Sequence, residues 1–426
     1  MIKKIQSVKG MPDILPFDTP IWWAFDVKWQ KLIESYGYQE IRMPLLEDTA
    51  LFKRSIGEVT DIVEKEMFTF QDRDGESITL RPEGTAGCVR LCLEHGLIHN
   101  QIQRLWYKGP MFRYEKPQKG RYRQFHHVGV EAFGLTGPDI EAEHIIMMDR
   151  FWKETGVSEL ISLQINSLGT DTSRKAYRAL LVEYFSKYEN DLDEDCKRRL
   201  TTNPLRILDS KNAKMVPLIQ DAPKSHETLD AESLEHFEGL QARLKESGVN
   251  FTVNPTLVRG LDYYNRTVYE WVTDRLGSQG TVCAGGRYDN LIEQLGGDPS
   301  FAVGFAMGIE RFLLLWKENG FTVETSIDAY LINVGLVPEQ KSLQIAEKIR
   351  DAYPSLRLVA HCGGGNFKNQ FKKADKSGAK IAFVLGEQEL SGDSLGVKFL
   401  REDRPQESVK MTELGVFLNQ YFRGSV

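Results

Sequence analysis

The sequence predicts an α+β domain with antiparallel strand pairing, interrupted by a helical insertion and followed by a smaller α/β domain. Three observations predict it. Up to about residue 170, and again from 250 to 308, short strand-like runs alternate with amphipathic helices. From about Thr170 to Gly248, charged helical segments dominate, broken at Asn203-Pro204, Pro217 and Pro223. Beyond a linker at Asn319–Ser326 the rhythm becomes strand, helix, strand, helix, strand, the pattern of a small parallel sheet with covering helices. The expected domains are therefore 1–325, with 170–248 inserted, and 326–426.

The elements follow in order. Asp18-Thr19-Pro20 starts a helix. Ile21, Phe25, Trp29, Leu32, Ile33 and Tyr36 recur at helical spacing before the stop at Gly37. Tyr38–Met43 alternates and reads as a strand ending at Pro44. Glu66–Gln71 and Ser77–Leu80 read as strands joined by an Asp-Arg-Asp-Gly turn. Thr85 is expected to cap a helix to about Leu97. Arg104–Lys108 precedes a Gly-Pro break, and Met111–Glu115 and Gln124–Phe133 flank a basic loop as a hairpin. Asp139–Thr155 reads as a helix and Glu159–Asn166 as a strand. Strands return at Asn250–Asn254, Tyr263–Thr273, Gly280–Ala284 and Phe301–Met307, with a helix from Gly308 to about Glu318.

Composition narrows the class. Hydrophobic residues make up 41% of the 426, enough for more than one core. No run approaches the roughly 18 apolar residues that cross a membrane. Met1–Gly10 is polar, without the apolar core of a signal peptide, so a cytoplasmic protein is expected. Five cysteines, none in a Cys-x-x-Cys pair, read as reduced thiols. Cys88 and Cys92 share a helix face near His95 and His99, but nothing completes a metal set, and no metal ligands are assigned. The net charge of −6 does not advertise a nucleic-acid binder, yet local patches do. Arg104–Arg123 holds seven bases against Glu115 alone, and Lys368–Lys380 holds five lysines against Asp375.

Neither a Gly-x-x-x-x-Gly-Lys-[Ser/Thr] loop nor a strand-linked Gly-x-Gly-x-x-Gly is present. A nucleotide, if handled, must be held by side chains and metal. Arg113, Arg259 and Arg311 each stand beside glycine or aromatics near strand ends, where a rigid fork of donors suits phosphate and carboxylate. Glu83 lies in a Pro-Glu-Gly turn. Glu131 lies in an apolar strand, where a carboxylate is costly unless paired.

These residues carry a resemblance. Gly37–Glu47 with its Met43-Pro44, Phe112-Arg113-Tyr114-Glu115 with the loop to Phe125, and Gly304–Arg311 resemble the three motifs of class II aminoacyl-tRNA synthetases. Leu257-Val258-Arg259-Gly260-Leu261-Asp262-Tyr263-Tyr264 and Ala284-Gly285-Gly286-Arg287-Tyr288-Asp289 resemble two peptides peculiar to the histidyl-tRNA synthetases. Leu80–Thr85 and Lys119–His126 match that family as well, and the resemblance runs from end to end.

The resemblance implies a catalytic domain on a mixed, mostly antiparallel sheet and a C-terminal anticodon-binding α/β domain. It implies ATP-dependent ligation of L-histidine to tRNA(His) through histidyl-adenylate, with Mg2+ on the phosphates. Arg113 and Arg259 would be catalytic. Glu83, Thr85 and His127 would hold the ammonium of histidine, Arg259 its carboxylate, and Glu131, Tyr263, Tyr264 and Tyr288 its ring. Arg113, Glu115, Arg121, Tyr122, Phe125 and Arg311 would bind ATP. Gln118 and Arg123 would read the transfer RNA, and the first motif implies a homodimer. Two positions depart from the family pattern: His127 stands where Gln is usual, and Lys116 where Arg is common. A neutral imidazole could still accept from the ammonium, whereas a protonated one would repel it.

The alternative is a non-catalytic relative serving as a regulatory subunit or transfer-RNA sensor. Such relatives typically lose the arginine of the histidine-specific peptide or the C-terminal domain. This chain keeps Arg259, Arg113, Arg311 and that domain. A plain RNA-binding module is a second alternative.

Overall fold

The computed structural model describes residues 4–57, 60, 62–210, 212–277, 280–324 and 326–423. Thr325 of the expected linker and the first three residues of the polar N-terminal stretch lie outside them. The chain forms two compact units, Met1–Thr322 and Val323–Val426.

The first unit carries β1 (Gln39–Glu40), β2 (Leu46–Asp48), β3 (Phe68–Gln71), β4 (Ser77–Leu80), β5 (Gln103–Phe112) and β6 (Gln124–Phe133). It continues with β7 (Ser162–Ser167), β8 (Thr252–Val253), β9 (Asn265–Val272), β10 (Thr281–Arg287) and β11 (Ala302–Gly308). Eight of these make one sheet in the order β1-β5-β6-β11-β10-β9-β7-β8. Only its two edge pairs, β1 with β5 and β7 with β8, are parallel. The sheet is thus mixed and mostly antiparallel. Strands β2, β4 and β3 form a separate small sheet.

The helix Thr19–Ser35 buries Ile21, Phe25, Trp29, Leu32 and Ile33, the stripe its spacing predicts. Phe25 meets Phe151 of the helix Asp139–Thr155 at 6.1 Å and Phe312 of the helix Ile309–Glu318 at 5.6 Å. These three helices build an aromatic core on one face of the sheet. Between β7 and β8 run the helices Asp171–Ser186, Glu194–Thr202, Val216–Asp221 and Ala231–Glu246.

Several local expectations are corrected. Gly109-Pro110 does not break the strand: β5 runs through it, with Pro110 opposite His126. The two-residue β1 reaches only Leu105 and Trp106, so on that side Pro110 faces no ladder partner for its missing N–H. Tyr38–Met43 yields only the two residues of β1. Glu66 ends a π-helical turn, Ile62–Glu66, rather than starting β3. Thr85 does not cap its helix. Glu83 does, accepting from the backbone N–H of Thr85 at 2.6 Å and of Ala86 at 2.9 Å.

The second unit contains β12 (Ala329–Asn333), β13 (Leu358–Ala360), β14 (Ile381–Leu385), β15 (Ser394–Phe399) and β16 (Glu407–Lys410), in the order β13-β12-β14-β15-β16. The first three are parallel, as the alternation predicts. The last two add antiparallel and were not foreseen: β15 does carry Leu395, Val397 and Phe399 at the strand period, whereas β16 is short and polar around Val409. Leu331, Ile349, Phe383 and Leu418 lie in its buried core.

Candidate active site

A cleft of about 790 Å³ opens on the large sheet of the first unit. Strands β5, β6, β9, β10 and β11 supply its walls, together with the loop Glu83–Thr85, the peptide Thr256–Tyr264 and part of the helical insertion.

One end is cationic. Arg113 follows β5, donates from Nε to the Pro82 carbonyl at 2.9 Å, and lies over the Phe125 ring at 5.4 Å. Arg311, in the first turn after β11, donates to the carbonyls of Gly120 at 3.1 Å and Thr281 at 2.5 Å. Arg121 is ion-paired with Glu115. Burial lowers the pKa of all three guanidiniums. For Arg311, Arg113 and Arg121 add to that burial and bring it to about 10. Cations crowded in this way are relieved by an anion with several oxygens. Tyr122 and Phe125 line the same end.

Arg259 stands where the cationic end meets the rest of the cleft. Burial opposes its charge, but Glu270 on β9 pairs with it, and its pKa is raised. The Tyr264 ring lies 5.7 Å from the guanidinium, and Arg259 Nε is buried without a hydrogen-bond partner.

The other end is hydroxyl-rich. Glu131, fully buried on β6, accepts from Thr85 Oγ1 at 2.8 Å, Tyr107 Oη at 3.0 Å and Tyr288 Oη at 2.5 Å. Burial lifts its pKa to about 8. Gly304 on β11 faces this carboxylate, and a Cβ there would overlap it. Gly84 and Gly129 similarly leave room for the Tyr107 ring. Tyr263 packs on Tyr264 at 4.7 Å and on Tyr288 at 5.6 Å. His127 packs against Phe125 at 5.0 Å. Burial, then the cations Arg113 and Arg311, hold its pKa well below the usual range, so the ring is neutral at physiological pH.

The fold therefore brings Glu83, Thr85, Arg113, Glu115, Arg121, Tyr122, Phe125, His127, Arg259, Tyr263, Tyr264 and Arg311 to one cleft. Glu131 and Tyr288 stand behind its wall: Glu131 is bonded to Thr85 and Tyr107, which line it, and Tyr288 is bonded to Glu131. Gln118 and Arg123 lie outside it, on the loop between β5 and β6. Gln118 is exposed, and Arg123 is spread over the Tyr114 ring at 3.7 Å with Nε donating to the Glu115 carbonyl at 3.2 Å. Sequence reasoning missed Tyr107, Glu270, Thr281 and Glu310, which also line the cleft. Glu270 had a usable signal, since it interrupts the apolar run Val268–Val272 as Glu131 interrupts its own.

A mostly antiparallel sheet carrying motif arginines at its strand ends, with a separate mixed α/β unit after it, defines a class II aminoacyl-tRNA synthetase. A family model of histidyl-tRNA synthetase matches residues 10–312, and one of an anticodon-binding domain matches 328–421. The chain belongs to the histidyl-tRNA synthetase family of aminoacyl-tRNA ligases. It is similar to the solved apo histidyl-tRNA synthetase of S. aureus, with 35% identity, 97% of this chain and 99% of that one covered, and a TM-score of 0.81. A histidyl-tRNA synthetase from a Nostoc species has the same fold at 17% identity, with 98% and 100% covered and a TM-score of 0.68. So does a Bacillus halodurans protein described as an ATP phosphoribosyltransferase regulatory subunit/histidyl-tRNA synthetase, at 20% identity, 91% and 99% covered, and a TM-score of 0.64.

Proposed function

We propose that the chain ligates L-histidine to tRNA(His) in two steps. The carboxylate of histidine attacks the α-phosphorus of ATP, forming the mixed carboxylic–phosphoric anhydride histidyl-adenylate and releasing pyrophosphate. A ribose hydroxyl of the terminal adenosine then attacks the histidyl carbonyl, and AMP leaves. The observation that carries this reading is the meeting of Arg113, Arg121, Arg259 and Arg311 in one cleft with Glu83 and Thr85.

No step requires a protein nucleophile. Catalysis is alignment and stabilisation of charge at the α-phosphate. Arg113 holds that phosphate, and Arg311 the outer ones. Arg259 lies between the two anions and relieves their repulsion, its unpartnered Nε supplying a ready donor. Phe125 and Tyr122 flank the base, with Arg121 and Glu115 beside the nucleotide. Glu83, Thr85 and neutral His127 take the ammonium. Glu131 takes a ring N–H in exchange for one of its three hydroxyl partners, with Tyr263, Tyr264 and Tyr288 around the ring.

Mg2+ is expected as part of the ATP substrate. Three of the cleft carboxylates are already engaged: Glu270 with Arg259 and Thr281, Glu310 with His126, Glu115 with Arg121. Among the described residues no group of three acidic, His or Cys side chains forms a metal-holding set. Mg2+ is therefore proposed to enter with the ATP.

Gln118 and Arg123 face the transfer RNA from the basic loop. The helix Phe367–Lys376, with Lys368, Lys372, Lys373 and Lys376, offers the second unit a phosphate-binding face. A homodimer is proposed from the first motif, and exposed Trp23 and Val27 on the helix Thr19–Ser35 support an apolar contact. Sedimentation tests it. No helix among the described residues is long and apolar enough to cross a membrane.

Histidine-dependent exchange of pyrophosphate into ATP tests the activity. Arg259→Ala should lower it by two orders of magnitude or more, since loss of one such donor costs roughly 2.7–4 kcal/mol. Absence of exchange by pure protein with Mg2+ would favour the non-catalytic regulatory or sensor reading.

A further inference from the structure

The helical insertion grips the peptide that carries Arg259. Arg206, in the 3-10 turn Pro204–Ile207, donates from Nη1 to the carbonyl oxygen of Arg259 itself at 3.1 Å. Asn203, one residue before that turn, donates from Nδ2 to Asp262 Oδ1 at 2.9 Å. Arg174, on the helix Asp171–Ser186, donates to the carbonyls of Tyr264 at 2.7 Å and Asp262 at 3.3 Å. The two segments also share one core: Leu205, Ile207 and Leu208 are buried in the same cluster as Leu257, Val258, Tyr263 and Tyr264.

The peptide has no regular structure of its own. Residues 254–264 run from β8 to β9 without a strand ladder, so their backbone groups must be satisfied from elsewhere. Asn203 and Arg206 are both buried, so their bonds form where water competes poorly. A second contact reaches the opposite rim: Arg198, on the helix Glu194–Thr202, donates to Glu64 at 2.6 Å, in the same π-helical turn as Glu66, which lies 4.0 Å from Arg121.

We propose that Asn203 and Arg206, with Arg174, are positioning residues for Arg259, so that the insertion sets the geometry of histidine activation in the absence of transfer RNA. This rests on Arg259 acting in activation. The insertion is then a latch on the catalytic peptide. A loss of aim by a fraction of an ångström at Arg259 suffices, because near-attack alignment is lost steeply with displacement.

Arg206→Ala, Arg206→Lys and Asn203→Ala in the full chain test it with two readouts. Hydrogen–deuterium exchange needs no activity: amides of 257–264 should exchange faster in both alanine variants while β9 and β10 keep their protection. Pyrophosphate exchange without transfer RNA should fall about tenfold to a hundredfold in kcat, with Arg206→Lys partly restored, since displacements near one ångström act on that scale. Unchanged protection of 257–264, or faster exchange there with a wild-type kcat, would overturn the latch. So would an equal loss of protection in β9 and β10, which marks general loosening. Wild-type protein lacking histidine-dependent exchange would instead overturn the assigned reaction, and the protection data would still decide whether the peptide is held.

Discussion

Arg259 is ion-paired with Glu270, and Glu270 is itself anchored by Thr281, whose Oγ1 donates to Glu270 Oε2 at 2.8 Å. The same Thr281 presents its carbonyl to Arg311 at 2.5 Å. One carboxylate and one threonine thus link Arg259 to Arg311 across the proposed phosphate site. Glu270 offsets the burial that opposes the charge of Arg259, and the net pKa is raised. Glu270→Gln should keep a hydrogen bond but release the guanidinium from its fixed charge partner. The expected outcome is a fall of about tenfold to a hundredfold in kcat for pyrophosphate exchange, with a smaller change in KM for ATP. Steady-state kinetics in both substrates check it, and a pure KM effect would contradict the assignment.

His127 should behave as a neutral acceptor. Burial and the charges of Arg113 and Arg311 hold its pKa well below the ordinary value. Protonation would place a cation beside the proposed ammonium site, so KM for histidine would rise on acidification if the ring titrated near its usual pKa. With the pKa depressed, KM should vary less than about threefold between pH 6 and 8 on account of this residue, a range that spans the ordinary histidine pKa of about 6.5. His127→Gln should leave that profile unchanged, because amide oxygen and neutral imidazole nitrogen both accept. A KM that climbs below pH 7 in the natural protein, but not in the variant, would refute this.

The order of elements was readable because apolar periods of 3.6 and 2 survive in most of them. The helix Thr19–Ser35 and strand β6 appear where their patterns put them. Pro110 misled because a proline next to a two-residue edge strand loses no ladder bond, and edge geometry is not visible locally. Arg113 and Arg259 were legible from their glycine and aromatic neighbours. Tyr107 was not: it is one more aromatic in an apolar strand, and only Gly84 and Gly129, distant in sequence, give its ring space to reach Glu131. Arg206 was invisible for the same reason, since its partner is a backbone carbonyl 53 residues away.

Glu131 should make stability depend on pH in an identifiable window. Its folded pKa is about 8 against the 4.5 of an unperturbed carboxyl, burial being the cause. Between those values the folded chain binds more protons at this group than the unfolded chain. Its contribution is therefore fully present below about 4.5 and is lost as pH rises through about 8. Glu131→Gln removes this term. The stability of Glu131→Gln relative to the natural protein should increase as pH is raised from 5 to 8.5, measured by denaturant unfolding. A pH-independent difference would show that the carboxyl ionises normally in its hydroxyl cage.

Arg287, although part of a histidine-specific peptide, is predicted to act on the fold. It is fully buried, and its Nε and Nη2 both donate to Glu141 at 2.8 Å. Further bonds run to the carbonyls of Leu135 and Gly137, each at 3.0 Å. His236, on the insertion helix Ala231–Glu246, lies 2.7 Å from the same Glu141. The triad thus joins the insertion, the helix Asp139–Thr155 and strand β10. Arg287→Met would leave Glu141 buried with only the imidazole for a partner. Removing one member of a buried pair typically costs roughly 3–5 kcal/mol. The variant should unfold at clearly lower temperature or denaturant. Substituting Glu141→Gln as well should recover part of the loss, because the stranded charge is then gone. A double-mutant cycle measures this. If Arg287→Met kept wild-type stability and lost only histidine activation, Arg287 would belong with the substrate-binding residues.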